Sequence, residues 1–336
     1  MPGFLPLRAA APFLAAAVAG CAGRGETRGA DEETPAIVRP RGPLKSGRSN
    51  LPFPTLGGMQ FWADFWVRAG WRIQENAISG HCRLLDPSDV RLAWGSFDEC
   101  RAAFGELKER RTIPRPGPRR VLLLHGLIRS RGSMQTLAAA LTADGWATET
   151  VAYPSTQRSI EEHAARLGRL LDGLEGAEEV SFVTHSLGAL VVRAALARGG
   201  AWTSRIRLHR VVMLAPPNRG SVLAERLHGF PPYRLFTGPA GQDVVPEGIR
   251  DLPPPPCPFG IIAGRSRGDG NPLIPGPDDG LVGVEETRLD GAEDFLLLDA
   301  GHTFIMEKPE VTDAVIHYLS TGRFRPHSCE SLNLQY

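Results

Sequence analysis

The chain reads as an α/β protein: a mostly parallel sheet with helices on both faces, a small cap, and an N-terminal extension made of a strand meander and a helix. Three observations predict it. From residue 119 onward, short apolar β-type runs alternate with longer stretches of helical periodicity. One such run, residues 180–184, passes through a small-polar corner at Ser186 straight into a helical apolar pattern. Finally, a Pro/Gly-rich interruption at 216–258, too long for an ordinary loop, follows a core strand.

In chain order, residues 1–20 carry a single cation, Arg8, then an Ala/Leu/Val/Phe run, the layout of a secretory signal and no part of the fold. Val18-Ala19-Gly20-Cys21 resembles the lipobox of bacterial lipoproteins, where the cysteine is lipidated and becomes the new N-terminus. That resemblance implies an exported protein anchored to the membrane through Cys21. Ala22 is not the aspartate that would retain such a protein at the inner membrane, so the expected place is the periplasmic side of the outer membrane. Ala17-Val18-Ala19 alone fits plain cleavage, which leaves a soluble periplasmic or secreted protein as the alternative. Residues 21–50, rich in Gly, Arg, Glu and Pro, read as a flexible tether, too polar to repay their ordering entropy. With Cys21 lipidated, four cysteines remain in an oxidising compartment; the preferred pairing is Cys82 with Cys100 and Cys257 with Cys329, and free buried thiols are the alternative.

Residues 51–112 form an extension holding four of the six tryptophans, Trp62, Trp66, Trp71 and Trp94. Runs at 71–74, 81–85 and 90–94 predict a meander, and Ser96 with Glu99 three residues on marks a capping box that opens a helix. Phe61, Trp62, Phe65 and Trp66 stand at helical spacing and predict a face packed on the main domain, with lipid or acyl-chain contact as the alternative. After a Pro/Arg/Gly linker, strands are expected at 121–125, 148–153, 180–184, 211–214, 259–263 and 295–298. Helices are expected at 133–146, 160–174, 187–198 and 311–319. The catalytic domain thus spans 119–324, with its cap at about 216–258 and a tail at 325–336.

Composition narrows the function. The 336 residues are 42% apolar, ample for a core, and 38 basic against 37 acidic side chains remove the electrostatic case for nucleic acid. No internal repeat is present, no apolar run past the N-terminus could span a bilayer, and no G-x-G-x-x-G follows an early strand, which excludes a sheet-based dehydrogenase.

The chemistry lies in four ordered strings. Thr184-His185-Ser186-Leu187-Gly188 resembles the nucleophile elbow of the α/β-hydrolase family, G-x-S-x-G, with Thr184 replacing the first glycine. Leu124-His125-Gly126-Leu127 resembles the oxyanion loop of the same family, which selects the backbone N–H groups of Leu127 and Leu187 as oxyanion donors. His125 itself reads as structural, because this fold places its catalytic histidine last. Asp279-Gly280-Leu281-Val282 resembles the acid loop of bacterial lipases and selects Asp279 over Asp278; a solvated turn or a calcium ligand is the alternative for the pair. His302, in the loop after the last strand, is the candidate base, whereas His185, beside the nucleophile, is expected to point elsewhere. Ala215-Pro216-Pro217-Asn218-Arg219-Gly220-Ser221 resembles a lipase segment, Thr-Pro-His-x-Gly-Ser, with Asn218 in place of histidine.

The resemblance implies a serine esterase or lipase working through an acyl-enzyme on Ser186, with Asp279 and His302 completing a triad, on a small-molecule or lipid ester, with no cofactor and no metal. A thioesterase or acyltransferase would use the same residues. A non-catalytic envelope lipoprotein is the alternative of another class, and its mark would be a lost triad member.

Overall fold

The structure is a computed structural model and describes residues 60–268 and 270–324. The segments expected to be a signal sequence and a tether, together with Cys21, Cys329 and residues 325–336, lie outside the described residues.

Among the described residues two sheets form. The first is an antiparallel meander of β1 (Trp62–Arg68), β2 (Trp71–Asn76), β3 (Cys82–Leu85) and β4 (Arg91–Gly95), packed on helix α1 (Phe97–Arg110). The capping box forms: Ser96 Oγ accepts the Glu99 N–H and the Glu99 carboxylate accepts the Ser96 N–H, a cap that contributes about 1 kcal/mol.

The helical reading of residues 61–66 is overturned, since Trp62, Phe65 and Trp66 lie in β1. The strand is buried on both sides: Trp66 packs on Phe104 of α1, while Val67 joins the core of the main domain. A bulge between Asp64 and Trp66 shifts the register. Burial on two faces and the bulge together erase the alternation by which a half-buried strand is recognised.

The Cys82–Cys100 disulfide does not form either. Both are free thiols within the apolar cluster under α1, and burial pushes them up to about 11 and about 12, so they act as small packing groups. Cys257 is likewise a free thiol, half-buried.

The second sheet is parallel, with strand order β6-β5-β7-β8-β9-β10. It is built from β5 (Arg119–Leu124), α2 (Gln135–Ala143), β6 (Ala147–Val151), α3 (Ile160–Asp172), β7 (Glu179–His185), α4 (Leu187–Arg198) and β8 (Arg207–Leu214). Three helices follow, α5 (Val222–Leu227), α6 (Pro231–Asp243) and α7 (Pro246–Ile249), then β9 (Phe259–Arg265), α8 (Val284–Thr287), β10 (Asp294–Asp299) and α9 (Pro309–Thr321). Alternate residues face opposite layers: Leu122, Leu124 and Phe182 pack against α3 and α4, while Val121, Leu123 and Val183 pack against α2 and α9. The chain runs out from β5 to β6, then crosses back to β7, so the strand order reverses between β5 and β7. In open α/β sheets a crevice forms at that reversal, at the carboxyl ends of the strands.

The meander covers the exposed edge beside β6. Asp64 N–H donates to Ala152 O (2.8 Å), and Ala152 N–H returns to Asp64 Oδ2 (2.7 Å). Arg72 (2.8 Å) and Gln74 (2.9 Å) also donate to this buried carboxylate, so its charge is paired and its oxygens are filled.

Candidate active site

Ser186 stands where β7 turns into α4, with φ 51° and ψ −122°. A non-glycine residue held there costs on the order of 1–3 kcal/mol and persists because its surroundings enforce it. Here Ser186 N–H donates to Leu214 O (2.9 Å), and Ser186 O accepts from Ala189 N–H (3.0 Å). Space explains the small neighbours. A Cβ on Gly188 would sit 2.9 Å from the carbonyl oxygens of both His125 and Leu124, and one on Gly126 would sit 2.8 Å from His185 Nδ1 and 3.1 Å from Ser186 Cβ. The glycines therefore let the elbow and the loop after β5 touch.

The structure brings Ser186, His302 and Asp279 into one row. His302 Nε2 lies 3.0 Å from Ser186 Oγ, and His302 Nδ1 lies 2.8 Å from Asp279 Oδ2. Asp279 Oδ1 accepts the N–H groups of Leu281 (3.0 Å) and Val282 (2.8 Å), and Asp279 O accepts the His302 N–H (2.9 Å), so Asp279 and His302 are fixed side chain to side chain and loop to loop. A carboxylate at Nδ1 keeps the proton there and leaves Nε2 as an acceptor facing the serine hydroxyl. Asp278 sits in a turn, but a buried one rather than the solvated turn of the alternative: its carboxylate accepts the N–H groups of Asn271 (2.9 Å) and Gly280 (2.7 Å). No cluster of three or more His, Cys, Asp or Glu able to hold a metal occurs among the described residues.

Leu127 and Leu187 both border the cavity that opens over Ser186. Leu187 is the first residue of α4, so its N–H belongs to the unpaired first turn of the helix. His125 turns away: it is fully buried, stacks on Tyr153 (4.2 Å between ring centres), donates from Nδ1 to Gly126 O (2.9 Å), and is lowered to about 4 by burial. His185 corrects the expectation that it points elsewhere. It borders the same cavity and its Nε2 donates to His302 O (3.0 Å), supporting the histidine loop from behind; burial first, then the neighbouring His302 and Arg129, hold it neutral.

The cavity is about 150 Å³. Its walls are largely apolar, and the 216–258 segment supplies Pro217, Leu223, Ala224, Leu227, Tyr233, Phe236 and Val244. Phe230 precedes α6 and is not among them. Two polar groups that sequence reading missed anchor this segment. Arg193, buried on α4, donates to the carbonyls of Leu252, Pro253 (3.0 Å) and Asn218 (3.1 Å), and burial lowers its guanidinium to about 10. The Glu286 carboxylate accepts the N–H groups of Val222 (2.8 Å) and Gly283 (2.8 Å), tying the start of α5 to the Asp279 loop. Asn218, the departure from the lipase string, is buried and donates to Thr287 O (2.8 Å).

No family model and no curated protein matches the sequence. Among solved structures the chain is similar to lipase BlEst2 of Bacillus licheniformis in its propeptide form, at 19% identity over 66% of this chain and 53% of that one, with a TM-score of 0.51. It thus spans about half the length of that protein. The mature form of the same lipase follows at 17% identity over 57% and 88% (TM-score 0.47), and a metagenomic carboxyl esterase, MGS0156, at 19% over 63% and 79% (TM-score 0.48). The parallel sheet, its crossover and this likeness define an α/β-hydrolase fold.

Proposed function

We propose that the protein is a serine hydrolase of carboxylic esters, lipase- or esterase-like. The observation that carries this is the buried row Asp279–His302–Ser186, opening at the end of β7 into an apolar-walled cavity. In this reading Ser186 Oγ attacks the ester carbonyl while His302 Nε2 takes its proton and returns it to the leaving alcohol. The N–H groups of Leu127 and Leu187 receive the oxyanion, and water then repeats the cycle on the acyl-enzyme. A lipase among the fold neighbours is in keeping with this chemistry.

The apolar wall favours an acyl chain over a charged metabolite, and the 216–258 segment acts as the cap that selects it. Leu227→Ala and Phe236→Ala are therefore expected to move the optimum of kcat/KM toward longer p-nitrophenyl esters. An unchanged chain-length profile with lowered thermal stability would assign these residues to packing alone.

On the strength of the lipobox string, the protein is placed by this reading at the cell envelope through lipidated Cys21. Lipoprotein-type lipidation adds several chains, enough for stable anchoring where one would bind marginally. Cys21→Ser should shift the protein from the membrane fraction to the soluble one or leave it unprocessed; mature wild-type protein in the soluble fraction would point to a plain signal peptide.

A further inference from the structure

We propose that Gln60, in the Trp-rich extension, is a positioning residue for the loop that carries Leu127, so that the extension completes the active site. The inference rests on the serine-hydrolase reading above. The side-chain amide of Gln60 reaches two segments far along the chain: Nε2 donates to Arg129 O (2.8 Å), and Oε1 accepts the Thr156 N–H (3.1 Å) and the Thr156 hydroxyl (2.9 Å). Between them stands Ser155 Oγ, 3.2 Å from Gln60 Nε2, which accepts the Ile128 N–H (3.0 Å).

These bonds converge on a strained stretch of backbone. Ile128 has φ 61°, a conformation that β-branched residues avoid and that persists only where neighbours enforce it. The peptide before Ile128 is held through Ser155 and the carbonyl of the residue after it is held by Gln60 directly. Leu127, whose N–H is assigned to the oxyanion, immediately precedes Ile128. A donor preorganised in this way stabilises the transition state and not the bound ester, so loosening it lowers kcat and spares KM. Gln60 is in turn fixed by the strand it leads into: Ala77 N–H donates to Phe61 O (2.7 Å), and the Asp64–Ala152 pair locks β1 to the main sheet.

The test uses the full-length protein and a p-nitrophenyl ester that the wild type turns over. Gln60→Met keeps length and bulk and removes every hydrogen bond; Gln60→Glu keeps the acceptor toward Thr156 and loses the donor to Arg129 O. Both are expected to lower kcat by about 10- to 100-fold with KM within about twofold, and to slow fluorophosphonate labelling of Ser186 in proportion. If Gln60→Met fails to fold, Ser155→Ala, which removes the Ser155 Oγ links to Ile128 and to Gln60 but leaves the Gln60 bonds to Arg129 and Thr156, should shift kcat in the same direction. Unchanged kcat in the folded variants, even with a lower Tm, overturns the proposal while leaving the hydrolase reading intact. A wild type that neither hydrolyses esters nor labels at Ser186 overturns that reading and this inference with it.

Discussion

Ser186→Ala is expected to abolish ester hydrolysis and fluorophosphonate labelling and to leave the protein folded. The loss follows from what remains. Without Oγ, His302 Nε2 faces no nucleophile, and the oxyanion donors of the proposed mechanism could assist only a misplaced water; losses on the order of 10⁶ in kcat accompany removal of a triad serine, or about 8 kcal/mol of barrier. The fold is spared because the bonds that fix the backbone of residue 186 are backbone bonds, its N–H to Leu214 O and its carbonyl to the Ala189 N–H, while the one side-chain bond lost, Oγ to His302 Nε2, leaves His302 still held by Asp279. Its side chain makes no capping bond to α4. Alanine at φ 51° meets the same backbone strain as serine, so Tm should move little. Labelling that survives the substitution would mean that another serine is the nucleophile.

The strings that could be read directly were those whose chemistry is local. A strand, a small-polar corner and a helix in immediate succession mark the turn at Ser186, whereas Asp279-Gly280-Leu281-Val282 stood out by its resemblance to an acid loop, and in the structure its carboxylate accepts the amides of residues two and three positions on. The alternating sheet and helices were legible for the same reason, since period 2 and period 3.6 are properties of neighbours in sequence.

What escaped the sequence is what long-range contacts decide. Gln60, Arg193 and Glu286 each use one side chain to hold backbone groups far away in the chain, and a lone polar residue that bonds to distant backbone leaves no periodic trace. β1 was misread because the chain buries both of its faces, one under α1 and one on the main domain, so aromatic spacing that mimics a helix is in fact a bulged strand. The Cys82–Cys100 pairing failed for a related reason: an even count in a chain expected to be exported permits pairing, but both cysteines lie within an apolar cluster as free packing groups.

The adjacent aspartates offer the sharpest discrimination within the site. Asp279→Asn is expected to lower kcat by about 10⁴-fold, because the amide would keep its oxygen toward the Leu281 and Val282 N–H groups and turn its NH₂ toward His302 Nδ1. A donor there forces Nδ1 to accept, moves the imidazole proton to Nε2, and leaves nothing to take the proton of Ser186. The same change one residue earlier meets different partners. Asp278 accepts only backbone N–H groups, and Asp278→Asn can keep Oδ1 on both Asn271 and Gly280 while losing the second contact to Asn271. Its expected cost is about 1 kcal/mol of stability with kcat within a few-fold of wild type. Kinetics and thermal melts of the two single variants decide the matter. Should Asp278→Asn prove the more damaging to kcat, or should neither variant affect it, Asp279 is not the group that orients His302, and the 2.8 Å contact to Nδ1 is structural rather than catalytic.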